Sequence, residues 1–370
     1  MAEFASARKR SPLVALAVMT TWLMATVLVA ELSVRAVDMV SGRAFFSEWR
    51  SPESKRRPNA LIPFRTFGPV FYREKEGVRY IASRYGELYP FKKPIGTFRI
   101  VCIGGSTTED LPTYGHYRRH YPRMLQGMLR QRLGRDSIEV INVGFSAYAT
   151  PHFLILLELD VLSWKPDLII LSETLNDLLA AYFPDFKPDY SHKFGFPPYV
   201  PANTAWREVE LGLFRHLQAY WLVKRQFESG TAPSLRRRSY GDAPPPEAAE
   251  VFERNLRSFV TLAHSNGVDV LLASQPLQPS EEYFLRHMSR KPYNNRIAYP
   301  LQDEFVKHHH YYNEIIRQVA TDQGTWFLDN DASFAGDERY FIDLVHYTLA
   351  GSTKLAENYK DFLMANGIVR

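Results

Sequence analysis

From residue 97 onward the chain alternates short apolar runs, rich in β-branched residues, with longer segments of helical period, and this rhythm constrains the fold more than any other feature. The runs are FRIVCIG (98–104), IEVINVG (138–144), DLIILSE (167–173), VDVLLAS (268–274) and TWFLDND (325–331). Between them lie helix-period segments such as YPRMLQGMLRQRLG, PHFLILLELDVLSW, PEAAEVFERNLRSFVTLAHSNG and YNEIIRQVATDQG. A strand that is apolar on both faces must be covered on both faces, and strands separated by helices pair in parallel. The pattern predicts a doubly wound α/β domain over 97–370, three layers deep, with about five parallel strands and its functional groups at the carboxyl ends of those strands. The lone cysteine, Cys102, lies inside the first run, so no internal disulfide is available.

A second feature precedes that domain. No charged residue occurs from Pro12 to Ala30, a stretch of 19 residues that as a helix rising about 1.5 Å per residue just spans a bilayer core. Arg8, Lys9 and Arg10 stand immediately before it. Positive charge stays on the cytoplasmic side, so residues 1–10 are expected inside, 11–34 in the membrane as a signal anchor, and the remainder outside. A cleaved signal peptide is the competing reading. It is weakened because cleavage after Ala30 would place Leu28 where a small residue is required.

Residues 35–96 mix aromatics, arginines and prolines without sustained period and read as a stalk and an irregular lead-in, with a short hairpin near GVRYIAS. The interval 178–246 interrupts the strand–helix rhythm with prolines and aromatics, Trp206 and Trp221 among them. It fits a surface excursion or a cap beside the site equally well. The net charge of +5, 45 basic against 40 acidic residues, is a mild excess, and Arg236, Arg237 and Arg238 sit in a Pro/Ser/Gly-rich stretch. A solvated loop describes them better than a nucleic-acid surface.

Four groups fall at one edge of the expected sheet. The first strand ends on Gly104 and Gly105, followed by Ser106, Thr107 and Thr108, where a helix can open with unpaired amides. An exposed hydroxyl there serves as a cap, a phosphate cradle or a nucleophile beside an oxyanion site, and no Gly-Lys-Ser/Thr follows to favour the phosphate. The second strand delivers Gly144, the third Asn176 and Asp177, and the last is followed by Asp343 and His346. Each alone has a plain structural use, as a turn, a cap or a surface histidine. The run His308, His309, His310 gives no metal site by spacing, since neighbouring helical residues diverge and no carboxylate completes the set. It reads as a solvated helix start, and Glu109 and Asp110 read as first-turn acids suited to the helix dipole.

As an ordered set, these segments resemble the blocks of the SGNH/GDSL hydrolase superfamily, and PIGTFRIVCIGGSTTED resembles a membrane-anchored bacterial branch of it. The resemblance covers about residues 97–366 and implies a flavodoxin-like three-layer sandwich. It implies Ser106 as nucleophile, His346 and Asp343 as base and orienting acid, and an oxyanion hole from the N–H groups of Ser106 and Gly144 and the amide of Asn176. A spacing of three lets Asp343 and His346 face the same way, and the imidazole supplies the base that a serine hydroxyl needs. Gly105 stands where the family's aspartate stands, and Thr174 where its block-three glycine stands, a change expected to reshape the pocket beside the oxyanion hole. The implied activity is hydrolysis of carboxylic esters without metal or cofactor, in a bacterial envelope, on substrates such as acylated polysaccharide or lipid, with no nucleic-acid partner. Transfer of the acyl group to a sugar hydroxyl by the same triad is the alternative. A non-catalytic phosphate-binding module is the remoter one.

Overall fold

The computed structural model describes residues 12–40, 70–183, 186–194, 243–288 and 300–369, with 217, 219, 220, 222 and 223. It divides into two compact units, Met1–Arg57 with Pro197–Ser234, and Pro58–Phe196 with Leu235–Arg370.

The first unit contains the helix Pro12–Val40, within which Leu16–Val37, 22 residues of mean hydropathy 1.7, is long and apolar enough to cross a membrane. Its hydroxyls are satisfied internally: Thr20, Thr21 and Thr26 donate to the carbonyls of Leu16, Ala17 and Trp22, each at 2.9 Å. The helix runs past the expected end at 34 because its first charges pair along it, Arg35 Nε donating to Glu31 at 2.7 Å. Glu31 also accepts from the Ala219 N–H at 2.8 Å. Part of the 178–246 interval thus groups with this helix, whereas Trp206, Trp221 and Arg236–Arg238 lie outside the described residues.

The second unit is built on a five-stranded sheet of β4 (Phe98–Gly104), β5 (Ile138–Asn142), β6 (Leu168–Ser172), β7 (Asp269–Ala273) and β8 (Trp326–Leu328). All five expected strands form, in the order β5-β4-β6-β7-β8, every pair parallel. Alternate residues feed two cores. Val101, Ile103, Ile141, Ile169, Leu171 and Leu272 face the helices Thr150–Leu159, Pro246–Ser265 and Gln302–Asp322. Ile100, Cys102, Val140, Ile170 and Leu271 face Tyr121–Leu133 and Leu349–Ala365. The amino-terminal edge is clamped by Arg99, fully buried, which bonds Glu139 at 2.7 Å and the carbonyls of Trp164 and Pro90 at 2.7 Å.

Residues 70–96 belong to this unit too. A three-stranded antiparallel sheet, β1 (Val70–Lys75), β2 (Val78–Ser83) and β3 (Leu88–Pro90), includes the hairpin expected near GVRYIAS. Ile81 and Tyr89 enter the main core, so this part of the lead-in packs as an element of the fold.

Candidate active site

The chain leaves β4 toward β5 on one side and reaches β6 on the other, so the carboxyl end of β4 is the point where successive connections diverge. Ser106 sits there, opening the short helix Ser106–Glu109. Gly104 is required by close approach, because a Cβ on it would overlap the Ser172 carbonyl and Thr108.

Ser106, His346 and Asp343 come together although 240 residues separate the first two. The Ser106 hydroxyl lies 2.8 Å from His346 Nε2, and His346 Nδ1 lies 2.9 Å from each oxygen of Asp343. The spacing of three works through a tight turn, with the N–H groups of Val345 and His346 donating to Asp343 Oδ1 at 3.2 and 3.0 Å. Burial pushes the Asp343 carboxyl up, but hydrogen bonds and positive charge from His287 and His346 outweigh it and hold the group well below the usual carboxylate range. The pair can accept the serine proton while the carboxylate orients the ring and stabilises its charged form.

His287 was not legible in the sequence. It lies on the helix Glu281–Met288, buried, with Nδ1 3.3 Å from Asp343 Oδ1, and its ring stacks on His346 with centroids 5.7 Å apart.

The side-chain amide of Asn176, one of the expected oxyanion donors, lies against Gly105, the residue before Ser106. Asn176 opens the helix Leu175–Ala181 after β6, and its Nδ2 donates one hydrogen to the Tyr148 carbonyl at 2.9 Å, which fixes the amide and leaves its other hydrogen to serve a ligand. Lys193 donates to the Asn176 carbonyl at 2.6 Å, so the part of the 178–246 interval that stays in this unit buttresses the site. Gly144 has a different role from the one expected. Its N–H already donates to Asn142 Oδ1 at 2.8 Å, and a Cβ on it would overlap the Glu109 and Thr108 backbone. It is a packing glycine under the nucleophile helix. Three residues on, half-buried Ala147 takes a left-handed φ of 67°, a conformation that glycine usually supplies.

Residues 102–354 match the family model described as GDSL-like lipase/acylhydrolase. The chain belongs to that family. Membership makes it a hydrolase acting on ester bonds. No relative among the curated proteins matches. Similar solved structures include an acetylxylan esterase from Geobacillus stearothermophilus, at 19% identity over 73% of this chain and 94% of that one with a TM-score of 0.41. Another acetyl xylan esterase shares 16% identity over 74% and 100% of the two chains at 0.42. A GDSL-like lipase from Bacteroides thetaiotaomicron shares 14% over 75% and 92% at 0.42.

Within this GDSL-like fold, both departures from the family pattern have local explanations. Glu173, fully buried, accepts the Asn176 N–H at 2.7 Å on Oε1, and its Oε2 occupies the space that a side chain on Gly105 would need. Burial, with the nearby Asp177, pushes the Glu173 carboxyl up to about 8 against the opposing pull of the Asn176 and Gly105 N–H groups and Lys193. Thr174 is fully buried. Its hydroxyl donates to Asn313 Oδ1 at 2.8 Å, and its N–H and that of Leu175 donate to Gln275 Oε1 at 3.2 and 2.7 Å. Gln275 in turn donates to Thr107 at 3.0 Å, joining the serine turn to the asparagine turn.

The neighbouring acids also differ from expectation. Glu109 is buried, receiving the Ser146 N–H at 2.9 Å and bonded to the Ser146 hydroxyl and to Arg84, so it staples the first two loops together rather than meeting solvent. Asp110, pushed up to about 7 by burial, accepts the Tyr121 N–H at 2.9 Å and the Ser352 hydroxyl at 3.0 Å. Asp177 is no plain turn residue, for it accepts from Thr150 and Tyr190 hydroxyls at 2.6 Å. The histidine run lies within the helix Gln302–Asp322, and His309 is fully buried, not solvated.

Proposed function

We propose that the chain is a membrane-anchored serine ester hydrolase in which Ser106 attacks the ester carbonyl, His346 takes and returns the proton, and Asp343 orients His346. One observation carries this: the unbroken hydrogen-bonded line from Ser106 through His346 Nε2, at 2.8 Å, to Asp343. Attack forms the Ser106 Oγ–carbonyl bond while the proton passes to His346, and the negative oxygen meets the Ser106 N–H, the free hydrogen of the Asn176 amide and the N–H of Ala147. Collapse expels the alcohol, protonated by His346, and water repeats the sequence to release the acid.

The basic residues before the apolar helix support a cytoplasmic N-terminus and a catalytic unit outside the membrane, in an envelope. For the substrate we favour small acyl, above all acetyl, esters on polysaccharide. Half-buried Tyr85 and Tyr114, stacked 3.9 Å apart, and the Tyr85 hydroxyl bonded to the Glu109 carbonyl at 2.6 Å set an aromatic surface beside the nucleophile helix. An aromatic face with a polar tip suits a sugar ring.

The test is release of acid by the full chain in detergent, from acetylated oligosaccharide and from esters of increasing acyl length. Acetate release that is absent in Ser106→Ala and His346→Ala supports the proposal, and full activity in Ser106→Ala contradicts it. Recovery of the acetyl group on an added sugar instead of in water would assign the same triad to acyl transfer.

A further inference from the structure

We propose that His309, His310 and Asp331 form a second site, for a divalent transition metal of the zinc type. The histidine spacing offers no third ligand along its own helix, and the carboxylate comes instead from another element, the short helix Asn330–Phe334 that follows β8. One ring nitrogen from each histidine and one Asp331 oxygen lie within 4.8 Å of one another. His310 Nδ1 is already 2.9 Å from Asp331 Oδ2. Ligands on a tetrahedral zinc ion, bonded at about 2.0 to 2.2 Å, stand about 3.3 Å apart, so modest side-chain rotation closes the set.

His309 gives the independent sign. It is wholly buried, yet neither of its ring nitrogens has a hydrogen-bond partner among the described residues. A buried imidazole with both nitrogens unsatisfied is costly, and a metal bond removes that cost. Asp331 is meanwhile held in place from behind. Its Oδ1 accepts the Leu277 N–H at 3.0 Å, its Oδ2 accepts from Asn313 at 3.3 Å, and its own N–H donates to Ser274 at 3.0 Å. Such outer bonds orient a ligand and raise its affinity.

Two imidazoles and one carboxylate suit zinc, cobalt or nickel, whereas magnesium and calcium favour all-oxygen sets. His310 and Asp331, though not the buried His309, line a cavity of about 540 Å³ shared with Asp329, Glu314 and Arg317, through which an ion can reach the site from solvent. Asn313, bonded to Asp331, also bonds Gln275 at 3.0 Å, and Gln275 bonds Thr107 beside the nucleophile. The metal would therefore rest on the same polar chain that joins the two catalytic turns.

His287, Asp343 and His346 also bring ligand atoms within 4.8 Å of one another, so the test must separate the two places. The full chain carrying His346→Ala, in detergent, is titrated with Zn²⁺ against a chromophoric chelator, and Co²⁺ absorption is recorded in parallel. The expected result is one equivalent bound, a visible cobalt band, and a higher melting temperature with Zn²⁺. Adding His310→Ala, at a side chain 55% exposed and therefore safe for folding, should weaken binding at least about tenfold and remove the cobalt band. Asp331→Asn should do the same. No binding in the His346→Ala chain, or affinity unchanged by His310→Ala, would overturn the site.

Discussion

Glu173 fills the space above Gly105: its Oε2 stands where the Cβ of any other residue at 105 would be, while its Oε1 holds the Asn176 backbone. The carboxyl group beside the serine turn thus comes from across the site, from the residue immediately before Thr174, where the family pattern has glycine. Gly105→Asp should therefore lose activity by at least about 100-fold, since one displaced oxyanion donor alone costs about that much. Gly105→Asp combined with Glu173→Ala should recover a measurable part. Comparing kcat/KM for the single and double variants on an acetyl ester checks this, and no recovery would separate the two residues.

The proton on Glu173 has a consequence for stability. Its folded value of about 8 lies above the ordinary 4.5, so between these values the folded state keeps a proton that the unfolded state releases. Stability from this group is complete below about 4.5 and falls as pH rises toward 8. Asp110, at about 7, acts in the same direction. Melting temperatures measured from pH 5 to pH 8 should fall more steeply in the wild type than in Glu173→Gln, which cannot ionise.

Asn176→Ala should lower kcat by about 100- to 1,000-fold with little change in KM, because the donor acts on charge that develops only in the transition state. Steady-state kinetics with circular dichroism as a folding control decide the point.

His287 bonds the same Asp343 carboxylate as His346, at 3.3 Å. Hydrogen bonds to charged groups contribute about 1.5 to 3 kcal/mol, so His287→Ala should reduce kcat by about 10- to 100-fold, provided the carboxylate needs both partners to hold its orientation. Retention of activity in His287→Gln, which can still donate, would locate the effect in the hydrogen bond.

Away from the site, Arg99→Met should destabilise by about 3 to 5 kcal/mol, since it leaves the Glu139 carboxylate without its partner in a nearly dry position. Chemical denaturation measures it.

The strands were legible because each is a continuous apolar run, and Val101, Ile141, Ile169 and Leu272 occupy the faces that such runs require. Ser106, Asn176, Asp343 and His346 were legible because each ends or follows a strand at one edge. Gly144 misled, because a glycine after a strand signals close packing as readily as an exposed amide, and here it lies against Glu109. Ala147 was invisible, since a left-handed backbone carries no mark when the residue is alanine. His287 and Glu173 had no motif around them. Their roles arise from contacts across elements, as does the meeting of Asp331 with His310, and one-dimensional spacing holds no record of such contacts.

The central claim is that Ser106 is a nucleophile activated by His346. Its most direct test is treatment of the native full chain with a fluorophosphonate, followed by peptide mapping. The geometry predicts one label, on Ser106, formed much more slowly in His346→Ala and absent after denaturation. A label on another residue, or none on the native chain, would contradict it.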